Sequence, residues 1–543
     1  MKADTDPQGP KPAGRLDVAQ SLLVLPTVDV TRRSVTPMLA CVATFTLEGV
    51  ASHEVTVEVD VRRGLATFTL VGLPDRAVRE SRERVRAAVL NSGLEFPQKR
   101  ITVNLAPAHV RKAGPGFDLA IAVGLLAATE QVPHEAVDRY ALCGELSLSG
   151  EIKPVRGALA VALGARRAGF RNLLVPAENA GEAALVDGLE VRGVSALVRM
   201  ADLLHGRWEP EPAFPKKPES PEEGADHLDL ADVRGQHDAK RALRISAAGG
   251  HNLLMIGPPG AGKTMLARRV PGILPPPSFH EALEITQVHS AAGLGNGSLA
   301  TRRPFRAPHH TISPQGLVGG GSRPQPGEIT LAHRGVLFLD ELPEFGRTAI
   351  DALRQPLEEG RVEIMRGQRT LEFPANAMVI AACNRCPCAR PPEACTCTVL
   401  EASRYRRRLS GPLLDRVDLI CQVDAVPPLE LVEEGGRRTS SAEVRNEVLR
   451  ARGLQRGRLE RTGALCNGDM DGRLTRAMVP LGATLTTRLL AARDRLNLSG
   501  RGHDRVLRVA RTIADLAGHD SVEGVDLDEA LSYRPADLDL LAA

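Results

Sequence analysis

An α/β fold split into several domains is what the chain predicts, and three observations carry that reading. The apolar run "LLMI" (253–256) passes at once into the glycine turn "GPPGAGKT" (257–264) and then into a helix-forming stretch. A second apolar run, "GVLFLDEL" (335–342), ends in two carboxylates, and a third, "AMVIAACN" (377–384), ends in an amide. Short apolar runs bounded by turns, with helical stretches between them, are the pattern of buried parallel strands. At 543 residues the chain also exceeds what one core can organise.

Taken in order, residues 1–37 carry Pro, Gly, Asp and Thr without sustained periodicity and are expected to be a disordered leader. From 38 to 208, runs such as "HEVTVEVDV" (53–61) and "LATFTLVGL" (65–73) predict strands. Within the same span "RAVRESRERVRAAVLNSG" (76–93) predicts a helix, and "LAIAVGLLAA" from Leu119 a buried one. Residues 209–227 are rich in Pro and Glu, cannot build a core, and are expected to form an exposed linker. The α/β region follows at 228–425, and 426–543, rich in Arg, Leu, Ala and Glu, is expected to be helical. A net charge of +3 does not by itself argue for nucleic acid. No apolar run reaches the roughly 18 residues of a membrane span, and no secretory leader is visible. The nine Cys do not spread into a disulfide framework, since five of them fall in 383–397. The chain reads as cytoplasmic.

Lys263 stands out by composition: the chain has nine Lys against 60 Arg, and this is the last Lys. Its setting explains it. Gly257, Pro258, Pro259, Gly260, Ala261, Gly262, Lys263 and Thr264 have the strand–loop–helix context of a phosphate-binding loop. The glycines let backbone N–H groups turn toward the phosphates of ATP, helped by the helix N-terminus. A compact ammonium fits between the β- and γ-phosphates where a wider guanidinium does not. Thr264 offers a hydroxyl to Mg²⁺, and Asp340, at the tip of the second strand, holds the same ion through water. Glu341 is then the group that activates the attacking water, and Asn384 the amide that positions it. Loop, acid pair and polar strand end in this order make an ATPase core of the AAA+ class. In "SGPLLDRVDL" (410–419), Arg416 is similar to an arginine finger reaching into a neighbour's site. "LSGRGHDRVLRVARTIADL" (498–516) looks like a lid helix with a sensor Arg: Arg501 by spacing, with Arg505 and Arg508 as alternatives. A finger supplied in trans implies a ring.

Several longer stretches carry a family resemblance. "VEVDVRRGLATFTLVGLPDRAVRESRERVRAAVLNSGLEFPQKRITVNLAPA", "FRAPHHTISPQGLVGGG", "PGEITLAHRGVLFLDELPEF" and "RVLRVARTIADLAG" resemble the ComM/YifB family of Mg-chelatase-like AAA+ ATPases, from about residue 38 to the end. The resemblance implies a Lon-protease-like α+β N-terminal domain (38–208), the ATPase core and a C-terminal helical lid. It also implies a homo-oligomer, a hexamer, that acts on single-stranded or branched DNA as a branch-migration helicase. A Ser–Lys protease of the Lon fold needs Ser in a "GPSAG"-like turn and a later Lys. Here "AGPGFDLAIAVG" (113–124) has Gly116 and Phe117 at the turn, and Leu159 stands near the Lys position, so the domain is expected to be a non-proteolytic scaffold.

Two further groups of residues remain. Cys386, Cys388, Cys395 and Cys397 form two C-x-C pairs six residues apart, a candidate structural Zn²⁺ site, whereas Cys383 reads as a core residue. "RVEIMRGQRTLEF" (361–373) predicts a hairpin with Arg366 and Arg369 near its tip, and "GLVGGGSRPQPGE" (316–328) a flexible loop with Arg323. Loops of this kind line ring pores, where Arg tracks phosphates. With 3% aromatic residues, base stacking is not the main mode. The competing readings are a metal-insertion motor of the Mg-chelatase kind and a protein-remodelling ATPase.

Overall fold

The computed structural model describes residues 39–216, 228–321, 324–366, 369–390, 394–408, 414–427 and 438–534. The leader 1–37, residues 217–227 of the linker and Arg323 lie outside the described residues.

The N-terminal part is built on a mixed sheet. Strands β1 (Leu39–Glu48), β2 (Ala51–Arg62), β3 (Thr67–Val71), β4 (Arg100–Ala106) and β5 (Tyr140–Leu142) are followed by a small hairpin, β6 (Glu145–Leu146) and β7 (Ile152–Lys153). The sheet resumes with β8 (Asn172–Pro176) and β9 (Glu190–Val194). The order is β3-β4-β2-β1-β5-β8-β9, with β1–β2 and β2–β4 antiparallel and the other pairs parallel. Alternation in β2 turns Val55, Val57, Val59 and Val61 inward, as a sheet with one covered face requires. The covering helix is Asp118–Ala128, every residue of which is buried. Gly124 lets it approach: a Cβ there would stand 2.7 Å from Val59 Cγ2.

The linker begins later than its composition suggests. Residues 209–216 run against this sheet: Ala213 N–H donates to Val191 O (2.7 Å), and Arg192 pairs with Glu209 (2.7 Å) while donating to Pro210 O (2.5 Å). The edge strand β9 offers free backbone groups and a guanidinium, and these fix a segment that buries little apolar surface of its own.

The ATPase part holds β10 (Leu253–Ile256), β11 (Phe305–Arg306), the short pair β12 (Gly319–Gly320) and β13 (Gln325–Pro326), and β14 (Val336–Leu339). Then come the hairpin β15 (Arg361–Arg366) and β16 (Arg369–Pro374), β17 (Met378–Cys383) and β18 (Leu419–Gln422). The main sheet has the order β11-β14-β17-β10-β18 and is parallel throughout. β10, β14 and β17 are buried at every position, which is why their sequences are continuously apolar.

The C-terminal helices share a core with this sheet. Val444 and Val448 of helix Ser441–Leu459 and Val506, Val509 and Ile513 of helix Gly500–Ala517 join Leu253, Met255 and Ile380 in one cluster. Buried polar pairs fix the registration: His251 Nε2 with Thr512 Oγ1 (2.8 Å) and Arg505 with Asp418 (3.2 Å). The N-terminal part touches the ATPase through the β1–β2 turn. Val50 enters the ATPase cluster that contains Phe373, and the Gln287 amide donates to Val50 O (2.7 Å). No helix among the described residues is long and apolar enough to cross a membrane.

Candidate nucleotide site

The parallel sheet delivers three strand ends to one place. β10 ends at Gly257, whose N–H donates to Cys383 O of β17 (3.2 Å), and a Cβ on Gly257 would stand 2.0 Å from Val423 O. Only glycine fits between those two chains. The loop then turns through Gly260 (φ 76°) and Gly262 (φ 89°), left-handed conformations that glycine adopts without strain, and opens the helix Lys263–Arg268.

Lys263 is folded inward. Its Nζ donates to Gly257 O (2.8 Å), Pro258 O (2.8 Å) and Asn384 Oδ1 (3.1 Å). Burial lowers its ammonium from the ordinary value, opposed by the nearby charges of Asp340 and Glu341. Thr264 Oγ1 donates to Asp340 Oδ2 at 2.6 Å, so hydroxyl and carboxylate lie side by side at the end of β14. That is a hard-oxygen donor pair suited to Mg²⁺. Glu341 follows with a left-handed backbone (φ 52°), and its carboxylate meets His310 Nδ1 at 3.4 Å. Gly257, Lys263, Thr264, Asp340, Glu341 and Asn384 thus converge from three strands, with Pro258, Pro259, Gly260, Ala261 and Gly262 forming the loop over them.

The arginine residues are placed differently. Arg416 is only 10% exposed and pairs with Glu358 (2.5 Å), whose Oε1 also accepts from Arg501. Of the three lid arginines, Arg505 is held by Asp418, and Arg508 donates to Gly468 O (2.8 Å) and Met470 O (3.2 Å). Arg501 is 64% exposed, Arg508 is half-buried and Arg505 is buried. Arg366 and Arg369 are register partners at the end of the β15–β16 pair.

The four loop thiols come together. Cys386, Cys388, Cys395 and Cys397 have all their Sγ atoms within 4.8 Å of one another, with Cys386–Cys388 at 3.3 Å, Cys388–Cys395 at 3.7 Å and Cys386–Cys395 at 3.8 Å. A tetrahedron with Zn–S bonds of about 2.3 Å has S···S edges of about 3.8 Å. Backbone N–H groups of Arg390 and Thr396 bring the Cys388 thiol down to about 5, while burial and the neighbouring thiols push Cys386 up to about 12. Cys383, by contrast, is buried inside β17. The loop joins β17 to the helix Val399–Arg408, where Tyr405 is buried and its phenol oxygen accepts from the backbone N–H of Asn384. The loop is therefore fastened to Asn384 at both of its ends. In the N-terminal part, Gly116 faces Cys143 and Val155, and Leu159 is fully buried with its N–H donated to Glu182.

Sequence reasoning passed over three residues of this site. Gln236 bridges Ala261 O of the glycine loop (2.9 Å) to Asp424 O beyond β18 (2.6 Å); Tyr405 braces Asn384; His310 meets Glu341. The duplicated His in "APHHT" was the one visible signal.

The chain is similar to known proteins along most of its length. The family described as "Magnesium chelatase, subunit ChlI" matches residues 229–431, "Subunit ChlI of Mg-chelatase" matches 57–179, and "Magnesium chelatase, subunit ChlI C-terminal" matches 438–534. An uncharacterised protein of Mycobacterium tuberculosis is 44% identical over 90% of this chain and 97% of its own length. The uncharacterised protein YifB of Escherichia coli is 42% identical over 92% of this chain and 97% of its own. Competence protein ComM of Haemophilus influenzae is 43% identical over 90% and 95%. The Lon protease 2 of Bacillus subtilis is 26% identical over 147 residues, 26% of each chain. The chain therefore belongs to the ComM/YifB family of Mg-chelatase-like AAA+ ATPases, with a Lon-like N-terminal region ahead of the ATPase motor.

Proposed function

We propose that the protein is an ATP-driven ring motor on DNA, a helicase of the branch-migration type, and that Arg416 acts on the ATP of a neighbouring subunit. The observation that carries the ATP half is the convergence of Lys263, Thr264, Asp340 and Asn384 at the ends of β10, β14 and β17. Lys263, now bonded to carbonyls, is the donor set for the β- and γ-phosphates. Thr264 and Asp340 would hold Mg²⁺, which neutralises phosphate charge when bound. Glu341 takes a proton from the attacking water, and the Asn384 amide orients that water. The resemblance of Arg416 to an arginine finger supports completion of the site by a second chain, for which its ion pair with Glu358 would have to open. Arg366 and Arg369 at a hairpin turn support a phosphate-tracking role, and the name of the relative ComM, a competence protein, points the same way.

The test is the ATPase rate with and without single-stranded, duplex and branched DNA. Stimulation that weakens with rising salt is expected; a rate indifferent to every DNA would leave the second reading, a metal-insertion motor, which the description of the matching family favours.

The Cys386, Cys388, Cys395 and Cys397 cluster is proposed to bind Zn²⁺ and to hold Asn384 in place through Tyr405. Protein purified under reducing conditions should carry about one Zn²⁺ per chain, and the double variant Cys386→Ser, Cys395→Ser should carry none. Metal-free wild type would contradict the assignment.

A further inference from the structure

We propose that Asn252 is a positioning residue for the arginine finger: its side-chain amide pins the backbone of Arg416, so that the guanidinium is aimed once its pair with Glu358 opens. This role rests on the reading above of Arg416 as a group that serves a neighbouring subunit. Asn252 stands directly before β10, at the opposite end of that strand from the glycine loop. The four residues of β10 separate the two, about 13 Å of extended chain. A change at Asn252 therefore does not touch the nucleotide site of its own chain directly.

A polar side chain at the mouth of a wholly buried strand needs partners, and Asn252 has them on every side. Its Nδ2 donates to Arg416 O (3.1 Å), and its Oδ1 accepts from the Val379 N–H of β17 (2.8 Å). Its own N–H donates to Asp418 Oδ2 (3.0 Å), and its carbonyl accepts from the N–H groups of Asp418 (2.9 Å) and Leu419 (3.0 Å). The two amide partners fix the orientation of the side chain, because a backbone N–H can only donate and a carbonyl only accept. Aspartate has the shape but lacks the donor, and leucine has neither group.

Residues 416–418 are thereby held from two sides. The C-terminal helices supply Arg505, paired with Asp418 (3.2 Å), and the chain just after them supplies Arg534, whose Nη2 donates to Val417 O (2.7 Å). Asn252 supplies the tie to the sheet, through β10 and β17 together. The Arg416 side chain pairs with Glu358 (2.5 Å), and that contact must open for the finger to reach another chain. The peptide it springs from stays tied down. A guanidinium lies at the far end of a long side chain, so a small rotation of that peptide is magnified at the tip. Misplacement by 1 Å costs on the order of a hundredfold in rate.

Asn252→Asp keeps the shape, loses the donor and sets a carboxylate against Arg416 O. It should lower kcat for ATP roughly tenfold to a hundredfold, with the affinity for a fluorescent ATP analogue unchanged. Mixing then separates a misplaced finger from damage to the variant's own nucleotide site. With Glu341→Gln, which keeps a sound finger, the ATPase rate should recover, because the Asn252 variant still supplies an intact Glu341. With Arg416→Ala it should stay low, since neither subunit offers an aimed finger. The reverse pattern puts the damage at the variant's own site and overturns the proposal, as does recovery with neither partner or a wild-type rate in Asn252→Asp alone. Should the added charge prevent assembly, Asn252→Ala, which frees Arg416 O without repelling it, goes through the same mixtures with a smaller loss expected. Glu341→Gln mixed with Arg416→Ala is the control. If that pair stays inactive, the reading of Arg416 in trans fails; if it recovers while the Asn252 pattern is reversed, the proposal alone fails.

Discussion

The glycine turns at 257–264 and 113–118 both lead from a loop into a helix, and only the first carries the groups of a candidate site. At 257–264 the turn places the Lys263 ammonium and the Thr264–Asp340 pair at the ends of β10 and β14, inner strands of the parallel sheet. At 113–118 the turn has filled itself. Phe117 is 1% exposed, and Asp118, at the start of the following helix, is fully buried and held by two hydrogen bonds from Arg84 (2.6 and 3.0 Å). The anion that one helix start awaits, the other supplies from its own chain. Glycine turns bend backbone sharply; at 257–264 the internal partners of Lys263 are neutral oxygens that a phosphate can displace, whereas at 113–118 a buried carboxylate is already paired with a guanidinium.

That contrast can be broken by mutation, beginning with the largest effect. Lys263→Ala should lose at least roughly a hundredfold in ATP affinity, since it removes a charged donor to two phosphates. Lys263→Arg should fare nearly as badly despite its charge, because the planar guanidinium does not fit where Nζ now meets two carbonyls and Asn384. Equilibrium binding of a fluorescent nucleotide checks both, and near-normal affinity in the Arg variant would remove the argument from shape.

Arg84→Ala should act only on stability. It leaves Asp118 buried without its cation, which costs about 3–5 kcal/mol, seen as an early unfolding transition of the N-terminal part with nucleotide affinity of the core intact. Gly116→Ser should fold, since a Cβ there lies 3.6 Å from Cys143 Sγ, and should show no peptidase activity, because Leu159 offers no base. The smallest effect belongs to Glu358→Gln. Its pairs with Arg416 and Arg501 are partly exposed, so thermal stability should change by less than about 1 kcal/mol, while ATP binding stays as it was.

Much of this was legible in one dimension. β10, β14 and β17 are short buried parallel strands whose apolar runs stop at the residues proposed to do the chemistry, so strand end and candidate site coincide in sequence. The hairpin at 361–374 and the buried helix Asp118–Ala128 were visible for the same reason, a local period matching a local structure. What was hidden depends on distant pairing. Gln236 joins Ala261 to Asp424, His310 meets Glu341, and Tyr405 meets Asn384, each across elements that no periodicity connects. The ties of residues 209–216 to β9 were hidden too, because composition reports the lack of a core and says nothing of an edge strand that can hold the chain. Arg416 was legible as a type of residue; its resting partner Glu358 was not.

The central claim is that the ATP site is built by one chain and finished by another, and mixing two dead variants tests it directly. Glu341→Gln should bind ATP without hydrolysing it, and Arg416→Ala should bind ATP and hydrolyse it roughly 10²–10³-fold more slowly than wild type. In mixed rings some sites pair an intact Glu341 with a neighbour's intact Arg416, and the measured ATPase rate should recover to a sizeable fraction of wild type. If both variants assemble and bind nucleotide yet the mixture stays as inactive as its parts, Arg416 does not serve the neighbouring site, and the account of a shared site is wrong.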